Sequence, residues 1–251
     1  PPGRRSSFPH AEKLEEELKT FFPDARVQRM DLDTTRTKTG YETILGSFER
    51  GETDILVGTQ MVTKGLDFDR VSLVGVFNAD RMMHFPDFRS YERAYQLITQ
   101  VSGRAGRREK KGEVVIQTGN VDHPVLNFIL KNDFDAFYEM QMADRHRHDY
   151  PPFTRLIEVT VKHTDKKVCL EASRKLTAAL REHLVGVKVF GPGEPMVAKI
   201  RNQYLMTILI KIFRGKADLH KVKEIIQEDM DVLLKEQAFR NVRIIPDVDP
   251  V

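Results

Sequence analysis

The first part of the chain alternates short apolar runs with helical patterns. Apolar runs of strand length lie at residues 27–32, 54–57, 71–77 and 113–117, and helical patterns lie at 10–22, 41–48 and 90–104. Strands that alternate with helices predict a parallel sheet whose two faces are covered. In such sheets, function gathers at the loops that leave the carboxyl ends of the strands. We therefore predict an α/β domain with its functional residues in those loops.

A different pattern begins after Pro151 and Pro152. Two adjacent prolines end the preceding helix and favour an extended link, so we place a domain boundary here. Predicted strands follow at residues 156–162, 187–190, 196–200, 205–212 and 242–245, with helices at 168–184 and 219–234. This order is close to β-α-β-β-α-β, the ferredoxin-like plan, with an extra strand or bulge in the middle. The predicted parts are a tail or cloning remnant at 1–9, an α/β domain at 10–149 and a smaller α+β domain at 150–251.

Charge and cysteine content limit the classes of function. The chain of 251 residues has a net charge of +3, but residues 1–149 hold 22 Lys and Arg against 24 Asp and Glu, whereas residues 150–251 hold 18 against 13. The basic second part suggests an anionic partner, although such a charge can also serve solubility alone. The single cysteine, Cys169, excludes a disulfide framework and a cysteine-rich zinc site within the chain, and it fits a cytoplasmic setting. No apolar run approaches the length of a membrane span, so no membrane partner is expected.

Two stretches carry groups that suit phosphate. The loop at 58–68 offers two glycines, two threonine hydroxyls, a lysine and an aspartate, which together suit a phosphodiester backbone. The stretch Gln100–Arg107 places two arginines three residues apart, on one face of a helix, and each follows a glycine. Arginine binds phosphate bidentately and stabilises charge on a transferring phosphoryl group. An ordinary βα loop and a solvated helix end are the alternatives for these two stretches.

Two further segments carry weaker signals. Residues 80–89 are predicted to be a long loop with two methionines, a histidine and two phenylalanines. Its aromatic rings could stack on bases, but packing beneath the loop is the favoured interpretation. The predicted hairpin turn carries Lys199, Arg201 and Tyr204, a basic tip with one aromatic ring that suits phosphate contact and stacking. A polar turn without such a role explains these residues equally well.

The two phosphate-suited stretches resemble known helicase motifs. Thr59-x5-Gly65-x-Asp67 resembles motif V of superfamily-two helicases, and Gln100–Arg107 resembles motif VI. The runs Ile55–Gly65 and Pro86–Arg93 are similar, more specifically, to the replication-restart helicase family of primosomal protein N′ (PriA). This resemblance covers nearly the whole chain.

The resemblance implies the C-terminal half of an ATP-dependent 3′–5′ DNA helicase that recognises stalled or branched replication forks and initiates primosome assembly. The implied fold is a RecA-like second helicase lobe with a parallel sheet, followed by the ferredoxin-like domain. The implied partners are forked or single-stranded DNA, the single-stranded DNA-binding protein and primosome components, in the bacterial cytoplasm. The nucleotide would be ATP with Mg²⁺, and zinc is expected for the family.

The resemblance also implies roles for individual residues. Arg107 would be the arginine finger that reaches the γ-phosphate, Arg104 would assist it, and Gln100 would couple the nucleotide state to the position of the lobe. The implied nucleotide-binding residues are Asp67, Gly103, Arg104 and Arg107. Residues assigned to DNA, some by the resemblance and some by the hairpin pattern, are Gly58, Thr59, Gln60, Thr63, Lys64, Gly65, Lys199, Arg201 and Tyr204.

Several family elements are missing from this sequence. It contains no G-x-x-x-x-G-K-[ST] loop, no D-E-x-H box and no paired C-x-x-C elements. ATP and Mg²⁺ would therefore need a first lobe outside this chain, and zinc has no cysteine ligands in it. We expect a C-terminal piece that does not hydrolyse ATP alone. The alternative is a non-catalytic nucleic-acid-binding scaffold on a degenerate helicase lobe; the intact motif at Gln100–Arg107 favours the helicase, because a scaffold need not keep it.

Replacement of the implied finger, Arg107→Ala, is expected to abolish DNA-stimulated ATP hydrolysis in the full-length protein while leaving its fold intact. Loss of the guanidinium removes the group that would stabilise charge on the transferring phosphoryl group. Steady-state phosphate release measures the turnover, and circular dichroism measures the fold. Wild-type turnover in the variant would refute the role.

Overall fold

A computed structural model of the chain describes residues 9–31, 34–35, 38–58, 71–102 and 112–250. The chain divides into two compact units, which meet in the sequence between Phe137 and Tyr138. No helix in the described part of the chain is long and apolar enough to cross a membrane.

The first unit alternates helices and strands, as the sequence predicts. Its elements are α1 (Pro9–Phe21), β1 (Val27–Met30), α2 (Lys38–Glu49), β2 (Ile55–Gly58), β3 (Leu73–Val76), α3 (Ala79–Met83), α4 (Ser90–Ser102), β4 (Glu113–Ile116) and α5 (Pro124–Lys131). Helix α6 (Phe134–Arg147) contains residues of both units.

The strands of the first unit are paired in parallel, which confirms the predicted α/β class. Strand β1 pairs with β2, with Val27 opposite Ile55, and β3 pairs with β4, with Leu73 opposite Glu113. Among the described residues these are two separate two-stranded sheets rather than one continuous sheet, since each strand has a neighbour along one edge only. In both pairs the carboxyl ends of the partner strands lie side by side, so the loops that follow them leave from the same edge.

Apolar side chains from the helices pack beside these strands. Met30 of β1 and Ile44 of α2 are buried together, and Leu56 and Phe48 pack against them. Elsewhere in the unit, the ring of Tyr95 on α4 stacks on a ring of α6 with centroids 4.3 Å apart. Burial of such side chains, at about 25 cal/mol per Å² of apolar surface, is the main stabilising contribution.

The second unit is a ferredoxin-like α+β fold. Its elements are β5 (Thr154–His163), α7 (Lys166–His183), β6 (Val187–Gly193), β7 (Lys199–Ile200), β8 (Gln203–Phe213), α8 (Leu219–Lys235) and β9 (Arg243–Val248). The four main strands are antiparallel in the order β6-β8-β5-β9, and the two-residue β7 pairs with β8. This β-α-β-β-α-β arrangement confirms the prediction.

The prediction of an extra strand or a bulge in the middle of this domain is confirmed, because the structure contains both. The register of β6 against β8 shifts between Phe190 and Gly193, and β7 supplies the extra strand. The strand predicted at 196–200 shortens to its last two residues, Lys199 and Ile200. Met196 and Val197 before them are exposed.

Helices α7 and α8 cover one face of the sheet because their apolar residues recur at helical spacing. In α7 the buried apolar positions are Cys169, Ala172, Leu176 and Leu180, three or four residues apart. They form one core with the alternate residues of β5 and β8 that point to the same face, such as Val159 and Ile210. Aspartates begin both helices: the side chain of Asp165 accepts hydrogen bonds from the backbone N–H groups of Lys167 and Val168, and Asp218 caps α8 in the same way.

A carboxylate–guanidinium pair fixes the start of β1 and β2. Arg26 donates from its side chain to both carboxylate oxygens of Asp54, at 2.8 and 2.7 Å, and its backbone N–H donates to Oδ2 at 2.8 Å. These bonds to the guanidinium, and then the backbone bond, lower the pKa of Asp54 to about 2. Because the bonds are made only to the charged carboxylate, the pair links the stability of this unit to pH.

The Arg26–Asp54 pair is expected to make the first unit acid-labile in a defined range. The folded-state pKa lies below the ordinary value of 3.8, so the stabilisation is complete above that value and is lost as the pH falls through it toward about 2. In Asp54→Asn, the unfolding midpoint should be lower near neutral pH and should fall less between about pH 5 and pH 2. Urea unfolding across this range measures the effect, with the exposed Asp24→Asn as control. Equal pH dependence in Asp54→Asn and wild type would contradict the assignment.

Candidate nucleic-acid interface

The first predicted site begins at the carboxyl end of β2. Gly58 is the last residue of this strand, is exposed, and lies opposite Met30 at the end of β1. Six further predicted site residues lie in the stretch 59–70, outside the described residues: Thr59, Gln60, Thr63, Lys64, Gly65 and Asp67. Gly58 therefore shows where this predicted loop leaves the fold.

The second predicted site begins at the end of α4. Ala94 and Ile98 of this helix are fully buried, and Gln100 lies two residues further on and is exposed. Two residues correspond to about 200° of helix rotation, so Gln100 lies on the side away from the packed face. The rest of the motif, with Gly103, Arg104 and Arg107, is outside the described residues.

An aspartate ties together the two loops at the carboxyl ends of β3 and β4. Thr118 donates from its hydroxyl to Oδ1 of Asp80 at 2.7 Å, and the backbone N–H of Gly119 donates to Oδ2 at 2.7 Å. These two bonds, the backbone one first, lower the pKa of Asp80. The side chain of Gln117 also accepts from the backbone N–H of Asn78 at 3.2 Å. Asp80 was predicted only as the start of a loop; its partners are almost forty residues away in sequence, so no local pattern could find this role.

The prediction of a long loop at 80–89 is wrong for its first part, because that part is helical. Asn78 has a left-handed backbone, with φ of 53°. Its side chain accepts a hydrogen bond from the backbone N–H of Arg81, and this cap starts the short helix α3. Met83 of this helix is 2% exposed, as the favoured packing interpretation predicts. Phe85 differs, because half of its surface remains exposed. Phe88 is half-buried, with the guanidinium of Arg89 4.4 Å from its ring centroid.

The third predicted site is the turn between β7 and β8, and here the structure brings the predicted residues together. Lys199 lies opposite Tyr204 in the hairpin, with its Nζ 4.6 Å from the centre of the tyrosine ring. Arg201 and Asn202 form the turn and both have left-handed backbones, with φ of 47° and 64°. Two successive left-handed residues define a type I′ turn, whose twist matches that of a hairpin. Lys199, Arg201 and Tyr204 therefore form one compact surface, which we call the hairpin tip.

The second unit contains a buried lysine that the sequence did not single out. Lys211 of β8 is 6% exposed, donates from Nζ to the carbonyl of His148 at 2.7 Å, and has Nζ 3.5 Å from the ring centroid of Tyr150. Burial lowers the pKa of Lys211, and the nearby carboxylate of Asp149 partly opposes this. Lys188 on the adjacent strand binds Asp149 at 2.6 Å. The two lysines hold the segment after α6 on the sheet, so Lys211 is a structural group. Its only signal in the sequence is a lysine within an apolar strand.

Potential metal ligands are scattered in the described part of the chain. No three His, Cys, Asp or Glu side chains come together there in an arrangement that could hold a metal ion. Cys169 is fully buried in the core of the second unit.

Two protein-family models match the chain in tandem. Residues 7–109 match the helicase conserved C-terminal domain. Residues 146–251 match the primosomal protein N C-terminal domain. The first match contains both phosphate-suited stretches, and the second contains the ferredoxin-like unit from β5 to β9.

Curated relatives match nearly the whole chain. The replication restart protein PriA of Bacillus subtilis is 39% identical over 240 residues, which is 95% of this chain and 29% of the relative. PriA of Haemophilus influenzae is 37% identical over 95% of this chain and 32% of its own length, and PriA of Treponema pallidum is 34% identical over 96% and 36%. The chain thus spans about a third of the length of these relatives. The solved structure of a hydantoinase/carbamoylase family amidase from Burkholderia ambifaria superposes with a TM-score of only 0.27 at 14% identity, over 38% of this chain and 27% of its own.

Substitution of the buried lysine, Lys211→Met, is expected to destabilise the second unit by about 1–3 kcal/mol. The change keeps the volume of the side chain but leaves the carbonyl of His148 without its donor and removes the cation beside the tyrosine ring. Urea unfolding measures the loss. The exposed Lys235→Met provides the control and should change stability by no more than about 0.5 kcal/mol. Equal stability of the two variants would show that the Lys211 contacts contribute nothing net.

Proposed function

Because this chain belongs to the primosomal protein N′ (PriA) family and corresponds to the C-terminal part of a replication-restart helicase, we propose that it supplies the second motor lobe and a DNA-binding domain to an ATP-dependent 3′–5′ DNA helicase. This helicase recognises stalled or branched replication forks and initiates primosome assembly. The observation that carries the proposal is the tandem match of a helicase C-terminal domain and a primosomal C-terminal domain on one chain. We assign the lobe to residues 10–149 and the DNA-binding domain to 150–251, a boundary that follows the end of α6 at Arg147.

The motor role rests on the end of α4. Gln100 is exposed in the last turn of a helix whose opposite side is buried, and the chain continues from it directly to Gly103, Arg104 and Arg107. We assign Arg107 to the γ-phosphate, Arg104 to its support and Gln100 to coupling between nucleotide and lobe; Asp67 and Gly103 complete the nucleotide contacts. Arginine at the γ-phosphate supplies positive charge where negative charge develops.

The chain has no phosphate-cradling loop of its own. With no G-x-x-x-x-G-K-[ST] sequence in its 251 residues, it is proposed to use ATP and Mg²⁺ only together with a first lobe, and to be inactive as an ATPase alone. Zinc does not fit this chain, because its one cysteine is buried in an apolar core. The zinc expected for the family would have to be held elsewhere in the protein.

The proposed DNA contacts lie in both units. In the first unit the loop that leaves Gly58 would follow the single-strand backbone through Thr59, Gln60, Thr63, Lys64 and Gly65. In the second unit the hairpin tip combines two cations with an aromatic ring, the combination that binds phosphates and stacks on bases. Arg201 supports this assignment, because a left-handed backbone is costly for a residue with a long side chain and here it presents a charge at the outermost point of the hairpin.

The proposed partners follow from the family. The relatives are bacterial replication restart proteins, which supports forked and single-stranded DNA, the single-stranded DNA-binding protein and primosome components as partners in the cytoplasm. We assign no residue of this chain to the protein partners.

Binding of this chain to DNA tests the proposal directly. Forked, duplex and single-stranded DNA are titrated by fluorescence anisotropy across a salt series, with wild type and Lys199→Gln/Arg201→Gln. Loss of two phosphate contacts should weaken fork binding by about tenfold at low salt and flatten the slope of log K against log salt by about 2. Lys235→Gln/Arg240→Gln, which removes the same charge from exposed positions of the same unit, is the matched control. No binding by wild type at about 50 mM salt, or equal losses in both variants, would contradict a DNA site at the hairpin tip.

A further inference from the structure

A histidine forms the N-terminal cap of α5. Pro124, the first residue of this helix, has no N–H group, so the backbone N–H of Val125 is the first donor of the helix that needs an acceptor. Nδ1 of His123 accepts this hydrogen bond at 3.3 Å. His123 is 8% exposed and Val125 is fully buried, so the buried N–H depends on this one ring nitrogen.

The cap determines where the ring of His123 carries its proton. An imidazole nitrogen accepts a hydrogen bond only when it has no proton, so Nδ1 is unprotonated and the proton of the neutral ring is on Nε2. A second proton would turn the acceptor into a donor that faces the N–H of Val125. It would also place a positive charge in a buried site at the positive end of α5. Protonation of His123 therefore breaks the cap.

The neighbouring histidine has the opposite arrangement. Nδ1 of His84 lies 2.8 Å from the carbonyl oxygen of Asp80, and because a carbonyl can only accept, this nitrogen carries the proton. His84 is exposed, and its ring centroid is 6.4 Å from that of His123. A second proton on Nε2 of His84 leaves its bond to Asp80 intact. Of these two histidines, only His123 loses a hydrogen bond when it is protonated.

The surroundings of His123 favour the neutral ring. Burial lowers the pKa of His123, the charge of His84 lowers it further, and the carboxylate of Asp80 partly opposes this. The other ring in contact, Tyr91 of α4, is neutral and has its centroid 5.3 Å away. Because the folded-state pKa lies below the ordinary value of 6.5, the stabilisation is complete above 6.5 and is lost as the pH falls through the folded-state value.

The same histidine joins two helices. Its ring caps α5 and meets the edge of Tyr91 in the first turn of α4, and the two helices pack together. Helix α4 carries Gln100 in its last turn. Loss of the cap would therefore loosen α5 at the end by which it contacts the helix of the second predicted site.

We propose that His123 is an acid-sensitive switch: its neutral ring caps α5 and holds it on α4, and its protonation releases the first turn of α5 while the β3–β4 pair stays folded. The switch is separate from the DNA and nucleotide contacts of the proposed function, and its test needs neither ligand.

Hydrogen exchange of the whole chain, followed by mass spectrometry from pH 8 to pH 5 and corrected for the intrinsic effect of pH, measures the opening of residues 121–131. At pH 5, proton binding by an imidazole of pKa 6.5 favours the open form by up to about thirtyfold. Wild type should lose about tenfold of its protection in this segment. His123→Asn keeps an accepting oxygen at the cap but does not titrate, so it should lose no more than about twofold. The control His84→Gln should lose protection as wild type does.

Three results of the exchange experiment would overturn the switch. The first is an equal loss of protection in wild type and His123→Asn, and the second is a loss that disappears in His84→Gln alone. The third is an equal loss in β3 and β4, which would mean that the whole unit opens and not α5. Urea midpoints at pH 8 show whether each variant is folded.

A measurement on wild type keeps the proposal testable even if a variant does not fold. In the chain labelled with ¹³C-histidine, the ring carbon shifts at pH 8 distinguish the two neutral forms of each imidazole. We expect the proton on Nε2 in His123 and on Nδ1 in His84. A proton on Nδ1 of His123 would show that this nitrogen does not accept from Val125, and the switch would be wrong.

Discussion

The antiparallel ladder between β5 and β8 is the constraint on which the second unit depends. Ten residue pairs, from Thr154 opposite Phe213 to His163 opposite Tyr204, hold the two central strands in one register. The ladder places apolar residues on one face, where α7 and α8 cover them, and it fixes the length of β8. A slip of one residue would exchange the two faces and bring charged side chains to the core, so the register and the core are determined together.

In both units, single polar side chains hold loops against the sheets. Asp80 accepts bonds from the loop after β4, and Lys211 donates to the segment before β5. Each contact joins parts of the chain that are distant in sequence. A buried or bonded charge is costly to leave unpaired, so such groups hold one loop arrangement strongly.

The two units serve the proposed function in different ways. The first contains parallel strands whose loops include residues proposed to contact a nucleotide and single-stranded DNA. The second carries the hairpin tip, whose two cations and aromatic ring are proposed to contact DNA. Under this proposal the two units contribute separate contacts with one DNA substrate.

The sequence by itself determined most of the element types, the ferredoxin-like order and the family, because hydrophobic periodicity and sequence motifs are local properties of the chain. The amino-acid sequences of Ile55–Gly65 and Pro86–Arg93 indicated the family that the comparisons confirmed. It also predicted Lys199, Arg201 and Tyr204 as a group, since a hairpin brings near neighbours together. Only the tertiary structure decided the roles of Asp80 and Lys211. Their partners lie between about forty and about sixty residues away, and no local pattern records which distant residue a side chain will meet.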